Sequence, residues 1–238
     1  MNLLYNVFFF VVFDSIHFFV ICQNIPNPRC QQTSALVGTK LYFFGGLISR
    51  NSISNEVWYL DLSNSFNVTT PQWHQDSEMI LGYNLGSSCI SPIDNSTVFL
   101  IGGRTWFPNT LNYKYNSSVY IFNSNTSLWT TPNINNFNSS FTGRNEMQAV
   151  IDSKGKIFIF GGTDYYDHKP IYTMYTDMNI FDITTMTWST QIQPQSLVYV
   201  GYTATLLSNG LIIYIGGLED SGTSINYNYV NMNQVWFG

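Results

Sequence analysis

Apolar residues are distributed unevenly along this chain of 238 residues. They are densest in residues 1–22 and then return in short bursts, which are separated by stretches rich in Asn, Ser, Thr and Gly. Short apolar runs bounded by turn-forming residues are typical of buried β-strands. The pattern therefore predicts an N-terminal segment with a role of its own, followed by an all-β domain.

The N-terminal segment, residues 1–22, is almost uninterrupted in its apolar character and is followed by a polar, proline-containing run over 23–28. Its length suits the hydrophobic region of a secretory signal peptide, and Val20 and Cys22 are small enough for the −3 and −1 positions of a cleavage site. We therefore predict a signal peptide over 1–22. The alternative is an uncleaved anchor, which would hold Asp14 in the bilayer at a cost of roughly 2.5–3.5 kcal/mol.

The later bursts repeat at a nearly constant interval. Four apolar runs end in a Gly-Gly pair, and the second glycines of these pairs are 57, 59 and 55 residues apart. A shorter strand-like segment and a turn precede each run, and a longer loop and a third alternating segment follow it. A tryptophan follows the third segment in the first three repeats. The glycines and tryptophans that define the repeat are Gly45, Gly46, Trp73, Gly102, Gly103, Trp129, Gly161, Gly162, Trp188, Gly216 and Gly217.

Each repeat is therefore predicted to be a four-stranded antiparallel meander, and such units resemble kelch repeats, which form the blades of a β-propeller. The resemblance covers Arg29–Gly238, which is nearly all of the predicted propeller segment over 23–238, with blades at about 29–76, 83–132, 144–191 and 199–238. It places Arg29 and Arg144 at the arginine that precedes the first strand of a kelch unit, and Tyr83 and Tyr199 in the corresponding neighbourhood of the other two units.

The Gly-Gly pairs and tryptophans have structural roles in this interpretation. A glycine pair after a buried strand permits positive φ and the close passage of a neighbouring backbone. A tryptophan on the outer strand fills the wedge between twisted sheets. The expected fold is an all-β, kelch-type β-propeller with three complete four-stranded blades and a partial fourth.

Propellers have 4–8 blades, so the predicted ring is incomplete. An open arc leaves unpaired edge strands, which favour aggregation. We expect either a truncated product that lacks further blades or, as the alternative, two arcs that close each other in a dimer.

Charge excludes one class of partner. The chain has 9 Lys and Arg against 14 Asp and Glu, a net charge of −5, and it contains no basic run. Nucleic-acid binding is therefore not expected, because it needs clustered Lys and Arg to neutralise phosphates.

Two sets of residues bear on the compartment. Cys30 and Cys89 remain after signal cleavage, and they either form a disulfide in an oxidising compartment or stay free. Five N-x-[ST] sequons are candidate glycosylation sites, although 26 asparagines in a Ser- and Thr-rich chain would give about as many by chance. They are Asn67, Asn95, Asn116, Asn125 and Asn138.

Binding is predicted on the face that carries the long loops 104–118, 163–177 and 218–233, because irregular loops on a rigid scaffold commonly hold binding residues. Tyr and Arg, which are frequent at interface hot spots, are concentrated there. The alternative for each tyrosine is packing of one loop against another. The candidate binding residues are Arg50, Arg104, Trp106, Tyr113, Tyr115, Arg144, Tyr165, Tyr166, His168 and Tyr227.

We therefore predict a secreted or cell-surface interaction module that recognises a protein or a carbohydrate. The alternatives are a remnant of a kelch-type enzyme, either an oxidase or a glycan-active enzyme, and a structural surface protein tethered by its N-terminal segment or by a C-terminal anchor beyond residue 238. A galactose-oxidase-like copper site needs two His and two Tyr, and His74 and His168 do not have paired ligand spacing. No catalytic motif is present, so no catalytic residue, metal or cofactor is predicted.

Overall fold

A computed structural model of the chain describes residues 25–49, 52–65, 67–108, 110, 112–113, 118–134, 141, 144–164, 173–191, 199–220, 227–230 and 236–237. The predicted signal peptide lies outside the described residues. The same is true of the candidate residues Arg50, Tyr115, Tyr165, Tyr166 and His168 and of the sequons Asn116 and Asn138. Within the described part, no helix has the length and apolar character that a membrane span requires.

The described residues form 22 strands. In chain order they are β1 (Thr33–Val37), β2 (Lys40–Phe44), β3 (Leu47–Ser49), β4 (Ser52–Ile53), β5 (Val57–Asp61), β6 (Trp73–Asp76), β7 (Gly82–Asn84), β8 (Ser87–Ile90), β9 (Thr97–Ile101), β10 (Arg104–Trp106), β11 (Val119–Asn123), β12 (Leu128–Thr130), β13 (Ala149–Ile151), β14 (Lys156–Phe160), β15 (Met178–Asp182), β16 (Thr187–Gln191), β17 (Tyr199–Val200), β18 (Thr203–Leu206), β19 (Ile212–Ile215), β20 (Leu218–Asp220), β21 (Tyr227–Tyr229) and β22 (Trp236–Phe237).

Four larger antiparallel sheets follow one another along the chain, and we call them units 1 to 4. Unit 1 has the order β1-β2-β5-β6, unit 2 has β8-β9-β11-β12, unit 3 has β13-β14-β15-β16 and unit 4 has β18-β19-β22. Each strand pairs with the strand that precedes it in the meander, apart from the short strands inserted in the connections. The predicted all-β architecture of repeated meanders is confirmed.

The core lies between the units because strand side chains alternate between the two faces of a sheet. In β9, Val98 and Leu100 belong to the cluster shared with unit 1. Phe99 and Ile101, from the same strand, belong to the cluster shared with units 3 and 4. Burial of each such side chain contributes about 1.5–3 kcal/mol. Neighbouring units therefore stabilise one another.

The tryptophans of the outer strands lie where sheets diverge. The Trp129 ring packs edge-on against Phe44 of unit 1, with ring centroids 5.8 Å apart. Its Nε1 donates to the Ser77 carbonyl at 2.9 Å. Trp188 packs against Phe141 at 4.4 Å. Both rings thus tie one unit to the segment that precedes it, as the wedge-filling role requires.

The Gly-Gly pairs lie where the backbone of the next unit passes. Gly45 and Gly102 have φ of +63° and +61°. A Cβ on Gly45 would lie 2.1 Å from the Tyr83 carbonyl oxygen, and one on Gly102 would lie 2.7 Å from the Arg144 carbonyl oxygen. A side chain at either position would therefore force adjacent units apart.

A backbone ladder joins all four units, and we call it the central ladder. Leu85 N–H donates to the Gln31 carbonyl at 3.0 Å, Glu146 N–H to Leu85 at 3.1 Å, and Gly201 N–H to Glu146 at 2.8 Å. All four residues have positive φ, from +57° to +64°. Three of them are not glycine, and a left-handed conformation costs such residues about 1–2 kcal/mol each. The inter-unit hydrogen bonds hold them in this conformation.

Of the two alternatives left open for Cys30 and Cys89, a disulfide or free thiols, the structure has the free thiols. Cys30 is exposed and free, whereas Cys89 is free and buried. Cys89 lies in β8 within the core between units, where burial raises the pKa of its thiol to about 12. Cys30 lies at an edge of unit 1, where its backbone pairs with Leu47. Cys89 is therefore a small apolar core residue.

Candidate functional site

The connections that follow the Gly-Gly pairs emerge on one side of the sheets, which we call the upper face. Small sheets form there, in the orders β3-β4, β10-β7 and β17-β20-β21. In the second of these, Arg104 of β10 pairs with Asn84 of β7, directly above the junction of two units. The turns that join the first to the second strand and the third to the fourth strand lie on the opposite side, the lower face. The long loops were predicted on the upper face.

A set of polar side chains surrounds the central ladder on this face. We call it the rim cluster, and it consists of Gln31, Asn84, Arg104, Trp106, Asn145 and Glu146.

Two chains of hydrogen bonds organise the rim cluster. Trp106 Nε1 donates to Asn84 Oδ1 at 2.9 Å, and Asn84 Nδ2 donates to Gln31 Oε1 at 2.8 Å. Arg104 Nη2 donates to Asn145 Oδ1 at 3.2 Å. Asn84 and Asn145 are 3% and 0% exposed. Buried amides held in this way are rigid, because an unsatisfied polar group would be costly.

One carboxyl group of the rim cluster has a shifted pKa. Burial raises the pKa of Glu146 above its usual range, and the attraction of the Arg104 guanidinium only partly opposes this. The cluster thus combines a fixed cation, two fixed amides and a carboxyl group that takes up a proton more readily than one in water.

The structure corrects the role of two predicted contact residues. Arg104 and Trp106 are only 7% and 8% exposed, so they form the wall of the upper face and are not presented to a partner. Two aromatic residues next to them are exposed. Tyr113 packs edge-on against Trp106 at 5.6 Å and is 41% exposed, and Phe107 is 46% exposed. These two rings are the accessible aromatic groups beside the rim cluster in the described part of the chain.

Arg144 was also predicted to contact a partner, and that prediction is wrong. Its side chain is fully buried. The guanidinium pairs with Asp177 at 2.8 Å, donates to the Gly161 carbonyl at 3.2 Å and lies 3.7 Å from the centre of the Tyr175 ring. Arg144 therefore holds the upper connection of unit 3 in place.

Arg29 makes the matching set of contacts in unit 1. It pairs with Glu56 at 2.5 Å and donates to the Gly45 carbonyl at 3.0 Å. Burial alone would raise the pKa of Glu56, but hydrogen bonds from Arg29 and Trp58 outweigh burial and lower it. The pKa of Asp177 is lowered in the same way, because the hydrogen bonds and charge of Arg144 outweigh the effect of burial.

Five of the candidate binding residues lie outside the described residues, as noted above. The backbone of Tyr227 lies in β21, where it pairs with Asp220 next to the upper sheet of unit 4. The sequence had also placed His74 after a tryptophan, and its ring stacks on Tyr59 with centroids 5.0 Å apart. Among the described residues, no group of three or more His, Cys, Asp or Glu side chains is placed to hold a metal ion.

The three described sequons lie on the lower face, and all three asparagines are exposed. Asn95 is in the turn between β8 and β9, Asn125 in the turn between β11 and β12, and Asn67 in the connection between β5 and β6. Modification at these positions would leave the upper face uncovered. Their glycosylation remains a prediction.

Four members of the rim cluster were not among the predicted site residues: Gln31, Asn84, Asn145 and Glu146. The sequence does contain a signal for two of them. Asn84 directly follows Tyr83, and Asn145 directly follows Arg144, so the same residue type occupies equivalent positions in two units. Gln31 and Glu146 share a backbone position but not a residue type, and only the ladder brings them together.

The family model described as "Attractin/LZTR1 beta-propeller" matches residues 13–236. Kelch-like protein 25 of Xenopus tropicalis is 23% identical over 219 residues, which cover 90% of this chain and 33% of that protein. Putative protein tag-53 of Caenorhabditis elegans is 26% identical over 215 residues, covering 86% of this chain and 15% of that protein. The chain thus spans a third or less of the length of these relatives.

A solved structure, titled "Structure of YjhT", matches with a TM-score of 0.59 and 16% identity over 87% of this chain and 66% of that one. At this identity the likeness concerns the fold alone. Together with the family model and the Kelch-like relatives, it confirms the kelch-type propeller fold that the repeats predicted.

Proposed function

We propose, because the chain belongs to the Attractin/LZTR1 β-propeller family, that its upper face binds a protein partner outside the cell. Kelch-type propellers are typically protein-interaction modules, and the Kelch-like relatives are mostly not enzymes. The extracellular location and the choice of a protein over a carbohydrate partner go beyond what membership of the family establishes.

The observation that carries the proposal is the pairing of exposed rings with a rigid polar wall. Phe107 and Tyr113 stand beside the rim cluster, and Trp106 supports Tyr113 from below. Aromatic anchors held by buried neighbours lose little conformational entropy on binding and are frequent hot spots. The fixed amides of Asn84 and Asn145 shape the wall around them.

A binding screen tests the choice of partner. The full chain would be applied to an array of extracellular proteins and to a glycan array, and we expect a protein to bind. Replacement of Phe107 and Tyr113 together by alanine should weaken that binding at least ~10-fold, since each lost anchor commonly costs more than 1 kcal/mol.

The matched control is Ile93→Ala, which removes an apolar side chain that is 65% exposed in a lower-face turn. This variant should bind as the wild type does. Binding to glycans alone, or loss of binding only in the lower-face variant, would contradict the proposal.

The extracellular location is supported by the apolar segment over 1–22 and by the three exposed lower-face sequons. Expression of the full chain in a eukaryotic secretory system should release it into the medium with a mass that falls after treatment with an N-glycosidase. Replacement of Asn67, Asn95 and Asn125 by glutamine should remove most of that shift. Retention of an unglycosylated chain in the cytosol would show that the location is wrong.

A further inference from the structure

The connection between β5 and β6 forms a polar pocket of about 500 Å³ on the lower face of unit 1. We call it the sequon pocket, because the glycosylation candidate Asn67 is part of its wall. The wall also contains the side chains of Asp61, Asn64, Gln72 and His74, together with three Ser and Thr hydroxyls. A pocket of this size is large enough for a small ligand.

The lining of the sequon pocket matches one class of ligand. Amide and hydroxyl groups both donate and accept hydrogen bonds, and one carboxylate adds an acceptor. The described lining residues include neither Lys nor Arg, so the pocket is unsuited to an anion. A neutral ligand with many hydroxyl groups, such as a sugar, fits this set of groups.

The His74 ring gives the sequon pocket a flat surface. His74 is exposed in β6, opposite Tyr59 of β5. The two rings stack with centroids 5.0 Å apart and an interplanar angle of 17°. The Lys40 ammonium lies 4.7 Å from the centre of the Tyr59 ring and adds a further contact. The ring of His74 is thus held in place, and a fixed ring of this kind can pack against the C–H groups of a sugar.

The side chain of Asn67 is oriented by the residue that completes its sequon. Asn67 Oδ1 accepts hydrogen bonds from the Thr69 N–H at 3.0 Å and from the Thr69 hydroxyl at 2.8 Å. A backbone N–H can donate only to the oxygen of the amide, so these bonds distinguish Oδ1 from Nδ2. Among the described residues, Nδ2 has no hydrogen-bond partner. The atom that carries an N-linked sugar is therefore unengaged at the wall of a polar pocket.

The other two described sequons have different surroundings. Asn95 and Asn125 lie in the short turns over 91–96 and 124–127, whereas Asn67 lies in the longer connection over 62–72. Each short turn is closed by a side-chain oxygen that accepts hydrogen bonds from two nearby backbone N–H groups. Sugars at these two positions are expected to project into solvent.

Given the secretion proposed above, we propose that the N-acetylglucosamine linked to Asn67 Nδ2 lies in the sequon pocket, with its ring on His74 and its hydroxyls on the polar wall. In the linkage, Nδ2 loses a proton and bonds to C1 of the sugar. The bond from C1 to the diphosphate of a lipid-linked donor breaks, and the diphosphate leaves with the electron pair. The sugar is thus a part of the lower face, and the upper face stays open.

Treatment of the secreted full-length chain with a peptide N-glycosidase under native conditions tests the proposal. The enzyme hydrolyses the side-chain amide and leaves aspartate, so peptide mass spectrometry follows each site separately. Release from Asn67 should be at least ~10-fold slower than release from Asn95 and Asn125, because the enzyme needs the sugar outside the pocket and one or two weak contacts give a preference of this size. Denaturation before treatment should abolish the difference.

Variants of the pocket wall test where the sugar lies. His74→Ala removes the flat surface and Gln72→Ala removes an amide, and each should speed release from Asn67 toward the rate at the other two sites. Gln75→Ala is the matched control. Gln75 is exposed and follows His74 in β6, so its side chain points to the opposite face of the sheet. This variant should leave the rate unchanged.

The outcomes distinguish this proposal from the extracellular location on which it rests. Equal release at all three sites, a chain glycosylated at Asn95 and Asn125 but not at Asn67, or slow release that neither wall variant changes would each overturn the proposal and leave the location intact. A chain without sugar at any site would contradict the location as well.

Discussion

Units 1 and 3 fix their Gly-Gly turns with an arginine, and unit 2 fixes its turn with a tyrosine. Arg144 donates to the Gly161 carbonyl and pairs with Asp177, the residue directly before the third strand of unit 3. Arg29 makes the same two contacts in unit 1. In unit 2 the equivalent backbone position is Tyr83, whose hydroxyl donates to the Ile101 carbonyl at 3.3 Å, one residue before the glycines.

The residue before the third strand changes together with the arginine. It is an acid in units 1 and 3, and in unit 2 it is Ser118, which is buried. An isolated carboxylate at that place would be buried without a cation, which is costly. The space around this side chain also differs between units 2 and 3. In unit 2 a Cβ on Gly86 would lie 1.8 Å from the Tyr83 hydroxyl oxygen. Met147 occupies the position of Gly86 in unit 3.

Units 1 to 3 thus share a side-chain hydrogen-bond donor to a carbonyl of the Gly-Gly turn, although the residue that supplies it differs. An arginine can fill this role only with an acid beside it. A tyrosine can fill it with neutral neighbours, provided that a glycine makes room for the ring. Burial raises the pKa of Tyr83 well above its usual value, so its hydroxyl remains a neutral donor.

The largest effect is expected from Arg144→Met. It removes the hydrogen bond to Gly161, the contact with the Tyr175 ring and the partner of Asp177 at a fully buried position. We expect a loss of about 3 kcal/mol in the free energy of unfolding, measured by urea denaturation.

Transfer of the unit 2 arrangement into unit 3 tests whether the three positions act together. Arg144→Tyr combined with Asp177→Ser and Met147→Gly should recover part of the lost stability, whereas Arg144→Tyr alone should not. Equal stability of the single and triple variants would show that the three positions are not coupled.

A smaller effect is expected from Tyr83→Phe, which removes only the hydroxyl donor of unit 2. The loss should be about 1 kcal/mol in the free energy of unfolding, since a neutral hydrogen bond is removed and the ring stays buried. Tyr229→Phe is the control, because Tyr229 is 88% exposed and should tolerate the change. A loss as large as that of Arg144→Met would mean that unit 2 depends on this hydroxyl as much as unit 3 depends on its arginine.

The smallest effect is the dependence on acid that the two arginine–carboxylate pairs of units 1 and 3 contribute. Glu56 and Asp177 have pKa values held below their ordinary values of 4.5 and 3.8, so their ion pairs stabilise the fold above those values. This stability should be lost as the pH falls through the lowered pKa values. The side chains are 25% and 22% exposed, so each pair should contribute about 1 kcal/mol or less.

Denaturation curves at several pH values check the acid dependence. The triple variant, which lacks the Arg144–Asp177 pair, should show a weaker decline below pH 3.8 than the wild type. An identical decline in both would assign the acid sensitivity to other carboxylates.

The strands and turns were predictable because their determinants are local. Alternation of apolar residues, turn-forming residues and the recurring glycines act over a few positions each. The burial of Arg104, Trp106 and Arg144 was not predictable in this way, because arginine and tryptophan in an upper loop suit a contact surface as well as a wall. Their neighbours Asn145, Asn84 and Asp177 come from other strands or from the far end of a connection.

The repeat, the all-β meander of each unit and the glycines at the junctions could be read from the sequence, since they follow from period, turn chemistry and backbone sterics. Which polar residues meet depends on the packing of the units. Gln31, Leu85, Glu146 and Gly201 have no common side chain, and they form one ladder because four sheets, packed face to face, bring the same backbone position of each to the centre. The direction of that ladder arises from packing, because each of its bonds joins two neighbouring units.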